Sequence, residues 1–375
     1  MHVEVAFFGF TTKLTPKNKW YYPSEIANDL ESLNMSTVVK QEVFACAWEY
    51  TRCVIPQYTN WKRYIAFMRI IIMGVIAEFK GSLVDVTAGD NILGYNLQEV
   101  LDDLFAGTAD YENMCREYRS FLLITADKSS NRRNGFRMRD ADALARFTIA
   151  SALACNDLDS VKLSDGEYEI LTEIGDTLYD AVAFFKHRSE GETNSTFAYM
   201  PSDKRITAFH QAREVLWALD VALSRRAEYT PVLNFVRFFG GPIHIMMRRY
   251  RFVEEELTIG RSETRDVVDQ ARKNRKLWYR VDSDDERMKD EDRFRHLVST
   301  GSEIYMFPGL CGYLESDQNC SSCNFRDYYG AEAHGRFGGV VLCLSCRSTW
   351  SAHLDTLHER AALIFPELNE VFSQT

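Results

Sequence analysis

Proline is scarce in this chain, 8 among 375 residues, so little interrupts long helices. Positive charge is not in excess either: 54 Asp and Glu outweigh 44 Lys and Arg, a formal net charge of -10. That balance excludes a general nucleic-acid binder, because neutralising phosphates takes a basic face. An anionic ligand must be met by local cations instead. Long apolar runs are missing too. The longest, residues 70–77, lies between Arg69 and Glu78, far short of the roughly 20 residues a membrane span requires. The opening residues carry neither the basic start nor the apolar core of a secretory signal. The expectation is a soluble, cytoplasmic chain with no membrane span, for which nine scattered cysteines imply no disulfide framework.

What is present points to a large helical protein. At 375 residues the chain exceeds one ordinary core, and 46% apolar and 13% aromatic residues supply a deep apolar pocket. The pattern predicts an all-α fold. An α-helical domain is expected over 1–305, followed over 306–375 by a cysteine-rich segment with a C-terminal helix packed on it.

Helices are predicted over 24–33, 36–52, 61–79, 111–126, 140–155 and 203–226, with a further acid-rich helix across 173–188. Several are apolar on every side yet carry single interior charges. Past Lys62 and Arg63, Arg69 and Glu78 are the only charges in 61–79, and Arg146 repeats the pattern in 140–155. A buried charge costs several kcal/mol, order of magnitude, unless it is paired or ligated. Each is therefore a candidate site residue or half of a buried salt bridge. In the acid-rich helix Glu173, Asp176 and Asp180 share one face at steps of three and four residues. Stacked like charges in apolar surroundings point to a divalent cation held by carboxylates, with an ordinary acidic amphipathic helix as the plainer reading. Asp102-Asp103 and Asn156-Asp157 have the look of metal motifs but lack the closing acids; the first reads as a helix end before Gly107. Gly240-Gly241-Pro242 must break the helix that precedes it. Beyond it His244 and Arg248 lie one turn apart, and Arg248-Arg249 suits a diphosphate or an exposed pairing with Glu254 and Glu255.

The most specific spacing is Cys320-x2-Cys323-x19-Cys343-x2-Cys346, the pattern of a closed four-thiolate zinc site with a structural role.

Trp20-Tyr-Tyr-Pro, Phe44-Ala-Cys-Ala-Trp-Glu-Tyr-Thr-Arg-Cys53, Ala181-Val-Ala-Phe-Phe-Lys-His-Arg188, Gly191-Glu-Thr-Asn-Ser-Thr-Phe-Ala-Tyr-Met200 and Phe238-Phe-Gly-Gly-Pro-Ile-His244 carry a resemblance. The chain resembles the fungal α-ionylideneethane synthases, sesquiterpene cyclases of abscisic acid biosynthesis, from about Trp20 to Leu368. It also looks like a class I terpene-synthase helical bundle, without an intact Asp-Asp-x2-Asp. The resemblance implies a magnesium-dependent enzyme that takes farnesyl diphosphate through neutral polyene intermediates and releases diphosphate. Interior charge and spacing assign the roles. Glu78, Asp176 and Asp180 hold Mg2+, with Glu42, Glu49 or Glu173 in support; Arg69, Arg146, Lys186, Arg248 and Arg249 grip the diphosphate; His187 or His244 moves a proton. Trp48, Phe67, Phe184, Phe185, Phe235 and Tyr250 are the pocket candidates, and Cys320, Cys323, Cys343 and Cys346 hold Zn2+. Self-association is left open. Two other readings stand beside this one: a different prenyl diphosphate cyclase or coupling enzyme, and a non-enzymatic, zinc-stapled helical interaction module.

Overall fold

Ser36 opens the first long helix, as its position predicts. In the computed structural model, which describes residues 21–79, 81–126, 136–189, 195–201, 203–246, 322–323 and 342–374, the Ser36 hydroxyl accepts the Val39 amide at 3.4 Å. Helix α1 then covers Thr37–Val54 and stops just before Pro56. Upstream, the helix expected over 24–33 is instead a 3-10 turn, Ser24–Ile26, followed by further turns. Asn28, Asp29 and Asn34 favour such local bonding over a regular helix. Helix α2 (Trp61–Phe79) is buried at every position from 64 to 77 except Arg69.

A short antiparallel hairpin, β1 (Asn91–Ile92) and β2 (Tyr95–Asn96), turns at Leu93 and Gly94, both with positive φ. Asn96 then caps α3 (Leu97–Phe105) by accepting the Glu99 amide at 3.2 Å. The Asp102-Asp103 stretch is the end of that helix, Asp102 bonded to Tyr111 and Asp103 paired with Lys62 at 2.6 Å. Helix α4 follows over Tyr111–Ala126.

The helix predicted over 140–155 is two helices, α5 (Phe136–Ala143) and α6 (Ala145–Ala154), broken at Leu144 with φ 56°. A left-handed leucine costs about 1–2 kcal/mol. Asp140 offsets it by accepting the Arg146 amide at 2.8 Å, which caps the new helix. Helix α7 (Asp165–Ser189) begins with a reciprocal box: the Ser164 hydroxyl accepts the Glu167 amide at 3.2 Å and the Glu167 carboxylate accepts the Ser164 amide at 2.7 Å. The chain continues through α8 (Thr196–Tyr199), α9 (Arg205–Ala222) and α10 (Thr230–Phe239). It breaks at Gly-Gly-Pro before α11 (Ile243–Met246). A Cβ on Gly240 would lie 2.8 Å from the Leu178 Cβ, so glycine there lets the end of α10 press against α7. The C-terminal helices are α12 (Leu344–Asp355), α13 (Leu357–Ile364) and α14 (Leu368–Phe372).

Helix α7 is the axis of the assembly, packed by α5, α6, α8, α9, α10 and α13. Leu171, Ile174 and Leu178 share one continuous core with Phe235 and Phe239 of α10 and with Leu357, Ala361, Phe365 and Leu368 near the chain end. Helices α13 and α14 thus bury their apolar faces in the same core as the bundle. The described chain is all-α apart from the hairpin, and none of its helices is long and apolar enough to cross a membrane.

Candidate active site

The helical period of α7 places Glu173, Asp176 and Asp180 on one face, exposed by only 4%, 0% and 0%. Their partners differ. Glu173 is held by both arms of the Arg360 guanidinium, at 2.7 and 2.8 Å, and by His353 Nε2 at 3.1 Å. Burial alone would raise its pKa, but these bonds outweigh burial and hold the carboxyl below the usual glutamate value. Asp180 accepts from Arg139 Nη2 at 2.8 Å, from the Thr196 amide at 2.7 Å and from the Thr196 hydroxyl at 2.8 Å. Asp176, between them, has no hydrogen-bond partner among the described residues on either carboxylate oxygen.

Burial drives the Asp176 carboxyl well above its usual range. Arg139 opposes that shift, while Asp140, Asp180 and Asp142 reinforce it. Arg139 itself is buried, which disfavours its charge, yet Asp180, Asp176 and Asp142 keep it firmly protonated. Its guanidinium also lies 5.4 Å from the Tyr179 ring centre. The other face of this region is aromatic: Tyr179 stacks on Phe239 at 4.7 Å, Phe239 on Phe235 at 5.1 Å, and the His244 ring stands 4.6 Å from Tyr179.

Two orphaned oxygens in a buried site cost several kcal/mol, order of magnitude, unless a proton or a cation meets them. The donor set is hard oxygen, the kind that magnesium takes; the nearby Arg139 guanidinium is already engaged, by Asp180 through Nε and Nη2 and by Asp142 through Nη1 at 3.0 Å. The residues therefore fit a divalent cation.

The remaining predicted residues are distributed as follows. Arg146 is buried and paired with Asp140 at 3.2 Å, its guanidinium 5.0 Å from the Tyr168 ring centre. Arg69 pairs with Asp29 at 2.9 Å, and Tyr95 donates to the same carboxylate at 3.2 Å. Each therefore has the salt-bridge partner that its sequence context allowed, buried at Arg146 and half-buried at Arg69. Glu78 is half-buried near the end of α2, and none of the described contacts joins it to Asp176. Lys186 and His187 occupy the last turn of α7, where the backbone alone is described; Arg248, Arg249 and Tyr250 lie outside the described residues. Phe67 and Phe235 are core, and Trp48 meets Trp61 and Tyr64 edge-on. Sequence reasoning missed Arg139, Asp140, Asp142 and Arg360, and also Glu117, a buried acid on α4. Arg139-Asp140-x-Asp142 carried a signal, since three charges open a segment whose only later charge is Arg146.

Cys323, Cys343 and Cys346 bring their sulfurs within 4.8 Å of one another, and Cys320 lies outside the described residues. The Cys343 amide donates to the Cys323 sulfur at 3.2 Å and the Cys346 amide to the Cys343 sulfur at 3.5 Å. Three convergent sulfurs from Cys-x2-Cys spacing fit a metal ion.

Fold and site together define an all-α protein built round a buried acid row, in which Asp176 has no hydrogen-bond partner among the described residues and the Arg139 guanidinium lies nearby. The chain belongs to the alpha-ionylideneethane synthase family: the family model described as alpha-ionylideneethane synthase aba3 matches residues 18–367. It is 66% identical over 374 residues to a Leptosphaeria maculans protein named alpha-ionylideneethane synthase abl3, covering 95% of this chain and 88% of that one. A Botryotinia fuckeliana protein named alpha-ionylideneethane synthase aba3 is 59% identical over 375 residues, covering 95% of this chain and 85% of its own. A Pyricularia oryzae protein named alpha-ionylideneethane synthase abl3 is 49% identical over 432 aligned residues, covering 94% and 83%.

Proposed function

We propose that this chain is a sesquiterpene synthase of abscisic acid biosynthesis that converts farnesyl diphosphate into α-ionylideneethane and releases diphosphate. The reading takes the bundle as class I terpene-synthase-like and the reaction as a magnesium-dependent carbon–oxygen cleavage. Family membership supports the product. The observation that carries the chemistry is Asp176, whose two buried oxygens have no hydrogen-bond partner among the described residues, one turn from Asp180 of α7 and its partner Arg139 of α5.

Asp176 is the first candidate to hold magnesium, with Asp180 one turn on and Glu78 contributed from α2. When bound, magnesium takes up charge on the departing diphosphate. Arg139, kept charged by its acidic neighbours, would reach phosphate oxygens only by sharing its bonds to Asp180 and Asp142. Lys186, Arg248 and Arg249 remain proposed partners for the same anion. Arg69 and Arg146 would have to share their carboxylate partners to join them. Tyr179, Phe239 and Phe235 present a stacked aromatic wall whose ring faces stabilise an allylic cation and exclude water. His244 beside Tyr179, or His187 farther along α7, moves a proton to and from the neutral polyene. Cys320, Cys323, Cys343 and Cys346 hold zinc as a structural staple at the start of α12.

The test is gas chromatography with mass detection of purified protein given farnesyl diphosphate, with magnesium and with EDTA. An α-ionylideneethane peak that needs magnesium supports the reading. A different hydrocarbon keeps the cyclase and removes the product, and no turnover by folded protein overturns the reading.

A further inference from the structure

Glu173 lies three residues before Asp176 on the same face of α7, so the two side chains stand about 5 Å apart at Cβ. Left to itself, Glu173 would set a second buried negative charge beside the turn where an anionic substrate is to be received. The partners that prevent this come from the far end of the chain. Arg360 on α13 grips both Glu173 oxygens, and its Nη2 also donates to the His353 carbonyl at 3.1 Å near the end of α12. His353 meets the same carboxylate through its ring. Helix α12 starts at the cysteine knuckle, with Cys343 as its cap, so the knuckle and the clamp stand near opposite ends of one helix.

We propose that Arg360, seconded by His353, is a positioning residue that cancels the charge of Glu173 and thereby lets the Asp176 turn receive a diphosphate. The proposal rests on the reading of Asp176 given above. It carries a sign that a merely structural salt bridge does not. Removing a cation one turn from the site weakens the binding of an anion and leaves magnesium binding unchanged or tighter, because the added negative field attracts one and repels the other. Loss of packing weakens both.

The experiment titrates inorganic diphosphate into the full-length, magnesium-supplemented protein by calorimetry, and measures magnesium half-saturation of turnover alongside. For Arg360→Ala the diphosphate affinity is expected to fall about tenfold with magnesium half-saturation the same or lower. Arg360→Lys should recover part of the loss, and the Glu173→Gln/Arg360→Ala double variant should bind diphosphate as the wild type does. Parallel weakening of diphosphate and magnesium overturns the proposal, as does a lower Tm with both affinities intact. So does a double variant as weak as the single one. If Arg360→Ala does not fold, Arg360→Lys and the double variant decide the matter by the same criteria. Failure of the wild type to bind diphosphate or turn over substrate removes the functional reading itself, and this proposal with it.

Discussion

Asp140 and Asp176 sit on the packed helices α5 and α7, exposed by 1% and 0%, and the protein treats them oppositely. Asp140 accepts the Arg146 amide at 2.8 Å and its Nε at 3.2 Å, so its charge is spent on capping α6 and on neutralising a buried arginine. Asp176 accepts no hydrogen bond among the described residues. Equal burial with unequal satisfaction separates an acid that holds the fold from one that the fold holds open. The contrast also explains why isolated interior charges were ambiguous in the sequence: Arg69 and Arg146 obey the same pattern as Asp176, and both turn out to have buried or half-buried carboxylate partners.

The sharpest way to break the comparison is Asp176→Asn. Turnover of farnesyl diphosphate is expected to fall by about 10^3, measured by product formation at saturating magnesium, because the variant loses a charge that acts on the reacting group. Stability should move the other way with pH. In the folded state the Asp176 carboxyl holds its proton above the ordinary aspartate value of 3.8, so the native chain binds more protons than the unfolded one as pH rises past that value. Wild-type stability in EDTA therefore declines with rising pH on account of this group, and Asp176→Asn removes that decline. Urea midpoints at pH 5 and 8 check it.

Asp140→Ala should do the reverse. It strands the buried Arg146 and uncaps α6, an expected loss of about 3–5 kcal/mol in urea unfolding, with turnover per folded molecule retained. A large activity loss with unchanged stability would erase the distinction between the two aspartates. Cys343→Ser probes a third kind of site, in which the proposed satisfying partner is a metal. It should abolish zinc retention, measured by elemental analysis, and lower Tm on the order of 5 °C. The smallest effect belongs to a plain cap: Ser164→Ala, read by urea unfolding, should cost about 1 kcal/mol and leave turnover untouched.

Much of the architecture was legible because its signals are local. Ser36 and Pro56 bound α1, Gly107 closes the α3 end, and Gly240-Gly241-Pro242 separates α10 from α11, each through a preference of one or two residues. The break at Leu144 was not legible, since nothing in a leucine announces a left-handed turn. It is the Asp140 bond to the Arg146 amide that favours two helices over one. The acid face of α7 was legible from its period, and its partners were not. Arg139 was overlooked because its segment was read as starting one residue later, and Arg360 because it stands 187 residues from Glu173.

By itself, then, the sequence determined the helical class, the ends of α1, α2 and α4, the cysteine spacing and the family resemblance, all of which depend on neighbours along the chain or on short blocks. Only the tertiary structure decided which of three stacked acids is left without a hydrogen bond. That choice depends on which distant side chains arrive beside each carboxylate: two from the chain end at Glu173, one from α5 and one from α8 at Asp180, and none at Asp176. Burial makes a charge costly wherever it lies along α7, but only the packing of α5, α8, α12 and α13 against it determines where that cost is met by protein and where it remains for a cation or a proton.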